Sequence, residues 1–487
     1  MRSAAMSSAA LRPVAVGVLT GVAAGVAGLV VVLPADGSFV AALLGGSTAR
    51  VGDLGLLVTG VAVCWAVFTL WPSTVLPTAV ITVTNLAGLF GDGSIRAVMG
   101  VHALVLVAGA AGLITRRLLF RHPEARCRTV ADVPMAVAAL VIVTGAGYGL
   151  LLGNAPFGVM LAGYHFAVIP AYYFLATYTL NTPARLRSAA VLFVSASALL
   201  IVTSLAAPGR HGGVWALVIA LPLLVISCRT TGWRRIGLVA IAALHLMDVA
   251  LAAYRTTWVA TGVAVLVLLL RGDRAVRRMT AATVLASTTL LVGVFALSSG
   301  VRIRAESMDS AFDRDAGFRV PEAMVGLRVF LHHPILGGGI GQVTPQAYLS
   351  GRGFMEVGPL YHVYHVMILA NLGLVGLAAL LWPLIRTLRV GLAFRSGPPF
   401  AFAALICGFI VAVAFSGPTT GHWTLGLLPA LVLLTMRWGM AGADAPAGHP
   451  PAAAVPAVGG AAAAAPRQSA EPIDDGRPVH PVFMEAR

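Results

Sequence analysis

The sequence contains no lysine. All 33 of its basic side chains are arginine, set against 18 acidic ones, so the cationic charge sits on guanidinium groups that do not titrate. Charge of either sign is scarce. Charged residues make up 10% of the 487, where a soluble domain carries about a quarter. With 58% hydrophobic residues and a mean hydropathy of +0.89, this excludes a soluble core as the organising principle: lipid is the main solvent. Cysteine is sparse too. Cys64, Cys127, Cys228 and Cys407 have the spacing of neither a metal site nor a disulfide framework, and read as structural thiols. No internal repeat is evident.

What the chain has instead is apolar runs of membrane-spanning length. At about 20 residues per span, runs fall near 13–33, 52–71, 75–90, 97–115, 130–152, 155–180, 188–207, 214–228, 236–254, 256–270, 280–299, 363–384, 399–416 and 424–440. The expected fold is an all-α polytopic membrane helix bundle of about 12–14 transmembrane helices. The first run lacks a clean cleavage site and is read as a retained span. With the N-terminus inside and the spans alternating, inside segments hold 20 arginines and short outside loops hold 4, namely Arg50, Arg96, Arg210 and Arg255. That bias sets the orientation in the cytoplasmic membrane, with both termini cytoplasmic. It also explains the net charge of +15 without nucleic acid. The expected domains are a membrane domain over 1–440 and an Ala/Pro-rich, disordered cytoplasmic tail over 441–487.

Polar residues gather in one place, a long outside loop over about 300–361. Loops of this length are functional or disordered. The apolar periodicity of "PEAMVGLRVFLHH" predicts a helix within it, near the membrane surface. His332, His333 and Pro334 end that stretch. A turn rich in glycine follows, including Gly339 and Gly341. Such a turn either folds the loop back to the membrane or offers amide N–H groups to an anion. The next span opens on "YHVYH". His362, His365 and Leu369 share one helical face, and the run carries no formal charge until Arg386. A histidine there is either an interfacial side chain or a proton acceptor. Arg255, in "AYRTTW", stands at the outer end of another span, where it either snorkels or holds an anion. Asp309, Asp313 and Asp315 are the loop's clustered carboxylates, but no acidic metal cluster is evident.

These features together resemble the O-antigen ligase and O-antigen polymerase superfamily of polytopic glycosyltransferases, over roughly 240–385. In that family an arginine precedes a short helix, then His-Pro and Gly-x-Gly; a histidine follows, with Gly-Leu-x-Gly-Leu in the next span. Here Arg319 precedes "HHPILGGGIG", with His333 and Pro334, and His362 precedes Gly373, Leu374, Gly376 and Leu377. Arg255 matches the arginine of a Ser-Arg pair, with Tyr254 in place of the serine. Val363 replaces the family's asparagine after the histidine, and Asn371 replaces an acidic residue.

The resemblance implies transfer of a glycan from a polyprenyl-diphosphate carrier to an acceptor hydroxyl, on a glycan or a lipid, at the outer face of the membrane. Arg255 and Arg319 would hold the diphosphate, because guanidinium pairs bidentately with phosphate. His362 would be the general base, since imidazole titrates near neutrality, with His365 as competitor or substrate contact. Gly339 and Gly341 would line the substrate site. No metal or other cofactor is expected. Partners beyond donor and acceptor are membrane lipids. Two other readings stay open. One is a transporter or flippase, for which His165, His245 and Asp248 are the mid-span titratable groups. The other is an inactive member of the same fold.

Overall fold

The structure is a computed structural model, and it describes residues 51–90, 95–120, 126–206, 213–251, 255–297, 319–347, 354–357, 360–415 and 421–439. The expected first span, the tail from 441 and the three loop aspartates lie outside these residues. The helices are α1 Val51–Leu70, α2 Val75–Phe90, α3 Ile95–Phe120, α4 Asp132–Leu151, α5 Pro156–Thr179, α6 Pro183–Ala206, α7 Val214–Ser227, α8 Gly232–Leu251, α9 Arg255–Arg271 and α10 Arg274–Leu297. They continue as α11 over residues 319–332, α12 Tyr364–Gly391, α13 Gly397–Ala412 and α14 Thr424–Arg437. Every apolar run expected within the described residues is a helix. Five helices there are long and apolar enough to cross a membrane, and five shorter apolar helices accompany them.

The packing fits lipid as solvent. Leu118, Val143, Leu151, Leu199 and Leu285 lie more than 60% exposed, as expected where the outer surface meets hydrocarbon rather than water. Between helices the contacts run through small residues, which let backbones approach where no hydrophobic drive holds helices together. Ala79, Ala138, Ala162, Ala260 and Ala401 are fully buried. Helix α13 lies in the middle of this packing, against α7, α9, α12 and α14. All four cysteines are free thiols.

The long loop ahead of α12 holds the expected helix, α11, and more. After α11 it carries a hairpin, β1 Thr344–Ala347 paired antiparallel with β2 Phe354–Val357. Helix α11 buries Glu322, Val325 and Val329 and exposes Val320, Met324 and Leu331. That two-faced pattern suits a helix lying along an apolar surface. The span expected over 363–384 is also broken. Gly373 has φ 63° and ψ −159°, a conformation only glycine adopts readily, so α12 is two helical pieces meeting at a kink.

Candidate functional site

The kink is filled by the glycine turn. Residues 333–341 enter the bundle between α4, α5 and α12. The Leu374 and Val375 N–H groups, left without intrahelical acceptors by the break, donate to the Pro334 and Ile335 carbonyls at 2.9 and 3.2 Å. Gly338 donates to the Ala370 carbonyl at 2.8 Å and Ile340 to that of Gly145 at 3.2 Å. Gly341 donates to Asn371 Oδ1 at 3.0 Å, while Asn371 Nδ2 donates back to Met367 O at 2.9 Å. Asn154 Nδ2 reaches the carbonyls of Gly338, Gly339 and Ile340. A Cβ on Gly373 would sit 2.3 Å from the Ile335 carbonyl oxygen, and one on Gly339 would sit 2.6 Å from Gly149 Cα.

Of the two roles open to this turn, the contacts fit folding the loop back into the bundle. Gly339 and Gly341 are buried against α4 and α5, and the Gly341 amide already has Asn371 as acceptor. The glycines let backbone pack on backbone. The residue expected to be acidic, Asn371, is fully buried and pins that turn.

With the turn fixed, α11 is held against the start of α12. The close approach is at Gly326, where a Cβ would fall 2.4 Å from Val366 Cγ1 and 2.8 Å from Tyr361 Cε1. Glu322, one turn earlier on the same face, is thereby set against His362. The carboxylate accepts the His362 backbone N–H at 2.8 Å and lies 2.9 and 3.1 Å from His362 Nδ1. The Glu322 side chain is 5% exposed and that of His362 is 45% exposed. A carboxylate accepts and does not donate. The neutral imidazole therefore carries its proton on Nδ1 and its lone pair on Nε2. The carboxylate fixes both the tautomer and the orientation of a partly exposed base.

Arg319 lies three residues before Glu322 and opens α11. Its Nη1 donates to the Phe415 carbonyl, just beyond α13, at 2.9 Å. Val413, at the same end, accepts the Tyr364 N–H at 3.1 Å. The backbone of Arg255 belongs to this end as well. Asp273 N–H donates to the Arg395 carbonyl and Gly408 packs on Ala260, so α9 and α13 run antiparallel. Five residues from each contact, about 7.5 Å along either helix, Arg255 comes level with Val413. Arg255, Arg319 and His362 thus gather at one end of the bundle.

His365, one turn on at the same end, makes different contacts. It lines a small apolar cavity with Tyr364, Ile368, Leu384 and Val413, and its Nδ1 is buried without a hydrogen-bond partner. The mid-span titratable groups are also placed. His245 Nδ1 donates to the Ile241 carbonyl at 2.7 Å, leaving Nε2 to accept from Ser197 Oγ, also at 2.7 Å. Asp248 accepts the Gly213 N–H at 3.3 Å. Both join α8 to a neighbouring segment as polar contacts. His165 Nδ1 sits 3.2 Å from His422 Nε2. Among the described residues no three His, Cys, Asp or Glu side chains are placed to hold a metal ion.

Glu322 is the residue that sequence reasoning missed. Forty positions separate it from His362, and only its place in "VPEAMVGLRVF", three residues after Arg319 on a helical face, could have singled it out.

Residues 240–381 match the model of a family described as O-antigen ligase. The match supports the resemblance to the O-antigen ligase superfamily, and it contains Arg255, Arg319, Glu322, His362, Asn371 and Gly373. A comparison with curated proteins gave no match. The apolar helices and the family match mark an integral membrane protein.

Proposed function

From the match to the O-antigen ligase family over residues 240–381, we infer that this chain transfers a glycan from a polyprenyl-diphosphate donor to an acceptor hydroxyl. The setting is cell-envelope or extracellular polysaccharide assembly, and the site faces the outer side of the cytoplasmic membrane. The observation that carries this reading is the buried Glu322 carboxylate holding the His362 imidazole on the helix that Arg319 opens, inside the matched region.

The chemistry follows from these groups. His362 Nε2 takes the proton of the acceptor hydroxyl as its oxygen attacks C1 of the donor sugar. The imidazolium that forms is stabilised by Glu322, as the carboxylate of a catalytic triad stabilises its histidine. The bond from C1 to the phosphate oxygen breaks, and the electron pair leaves with the polyprenyl diphosphate. The charge developing there is met by Arg319 and Arg255, whose planar forks match phosphate geometry. A single displacement of this kind inverts C1.

The test is transfer from a polyprenyl-diphosphate-linked oligosaccharide by the full chain in a membrane mimetic, with EDTA present. Product formation that persists in EDTA fits charge stabilisation by arginine. Product that vanishes and returns with a divalent cation would contradict that part of the reading.

A further inference from the structure

At the opposite end of α13 from His362 the structure has a second charged constellation, which glycan transfer does not use. A cavity of about 230 Å³ is lined by Leu270, Arg271, Gly272, Arg277 and Arg395. Two chain segments far apart in sequence converge there: the turn that joins α9 to α10, and the connection from α12 to α13. They are tied by backbone, with Asp273 N–H donating to the Arg395 carbonyl at 2.9 Å and Arg277 N–H to the Asp273 carbonyl at 2.9 Å. Arg271 Nη2 reaches the Leu392 carbonyl at 3.4 Å. Asp273 is the carboxylate of this corner, and its Oδ1 accepts the Val276 N–H at 2.8 Å, so it caps α10. Beside the cavity, Arg229 donates to Ser396 Oγ.

Arginine at the inner ends of spans needs no ligand to explain it. Snorkelling or orienting arginines splay toward water and repel one another. These three are also exposed, but they line one concave space whose rim is braced by backbone hydrogen bonds. Three guanidinium groups lining a shared concavity, with Asp273 as the carboxylate of the corner, make a local positive potential that favours an anion. We propose that this cavity binds a phosphate-bearing anion, supplied either by the headgroup of an anionic membrane lipid or by a soluble phosphate. Guanidinium forks from Arg271, Arg277 and Arg395 would meet its oxygens. The orientation set by arginine places this end at the cytoplasmic leaflet, where anionic headgroups attract juxtamembrane basic residues.

The test needs no glycan donor, so its outcome is independent of the transferase reading. The full chain, purified in neutral detergent, is equilibrated with equal amounts of a phosphatidylglycerol and a phosphatidylcholine, and retained lipid is counted by native mass spectrometry. A second arm titrates inorganic phosphate by calorimetry. The triple variant Arg271→Gln, Arg277→Gln, Arg395→Gln is compared with a charge-matched control, Arg117→Gln, Arg187→Gln, Arg389→Gln, whose arginines lie outside the cavity.

The expected result is preferential retention of phosphatidylglycerol, lowered roughly tenfold or more in the cavity triple and by less than about twofold in the control. The same pattern with inorganic phosphate alone would assign the site to a soluble anion. Equal losses in both triples, or no preference in the wild type in either arm, would overturn the proposal. Because a triple change can unfold the corner, Arg277→Gln and Arg395→Gln are also measured singly. Each should weaken binding by about threefold, and unchanged binding in both would overturn the proposal as well.

Discussion

At the residue scale, the account rests on one side-chain pair. A carboxylate that is 5% exposed needs a partner, because burying a charge without one costs several kcal/mol. Glu322 has two donors from one residue, the His362 backbone and ring. Replacing His362 by alanine therefore removes a base and also weakens the setting of a buried carboxylate. The cleaner change is His362→Gln, whose amide can still donate to Glu322 but cannot take a proton. Transfer by His362→Gln should fall by about 10²–10⁴-fold, the usual share of a general base, with the melting temperature nearly unchanged. Glu322→Gln should also lower the rate sharply, because its NH₂ can donate to Nδ1 and favour the wrong tautomer. The rate-versus-pH profile should change shape in that variant, which a purely structural role would not cause. Arg319→Lys should restore little of the activity lost in Arg319→Ala, since lysine keeps the charge but loses the fork; single-turnover rates on the lipid-linked donor decide this.

At the scale of elements, the decisive feature is the broken α12 and the glycine turn seated in it. The break leaves N–H groups inside the bundle without helical acceptors, where each unsatisfied one costs about 1–3 kcal/mol, and the Pro334 and Ile335 carbonyls satisfy two of them. Turn and kink thus stabilise each other, and together they hold α11 against α12. Gly373→Ala should lower the melting temperature by several degrees, since a Cβ meets the Ile335 carbonyl at 2.3 Å and the conformation alone costs about 1–3 kcal/mol. It should also abolish transfer although residue 373 touches no substrate. A Gly373→Ala protein with wild-type melting and transfer would show that the kink is incidental. This feature was not legible in the sequence. Hydropathy runs unbroken through "ILANLGLVGLAALLW", and an apolar pattern carries no information on φ. The glycines of "ILGGGIG" were visible as a turn, but nothing in the sequence shows that Asn371, thirty residues on, takes the Gly341 amide. An anion cradle and a packed turn have the same composition.

At the scale of the whole molecule, the helices were legible because lipid leaves few alternatives: backbone groups in hydrocarbon must be satisfied within the segment, so apolar runs of this length become helices. That Arg255, Arg319 and His362 lie toward one end of the bundle agrees with span alternation, which expects all three on the same side. The partner of His362 was not legible, because a contact across forty residues depends on how α11 folds back. The orientation itself can be checked directly. In a background lacking the four native cysteines, Leu152→Cys should react with a membrane-impermeant maleimide in intact cells, and Arg234→Cys should react only after permeabilisation. The reverse pattern would move the site to the inner face.

The most direct measurement is the single-turnover rate of glycan transfer from a polyprenyl-diphosphate-linked oligosaccharide, for wild type, His362→Gln, His365→Ala and Glu322→Gln. His365 faces an apolar cavity rather than Glu322, so its variant should stay within a few-fold of wild type while the His362 and Glu322 variants collapse. Wild-type rates in His362→Gln, or a collapse in His365→Ala alone, would contradict the assignment of His362 as the base.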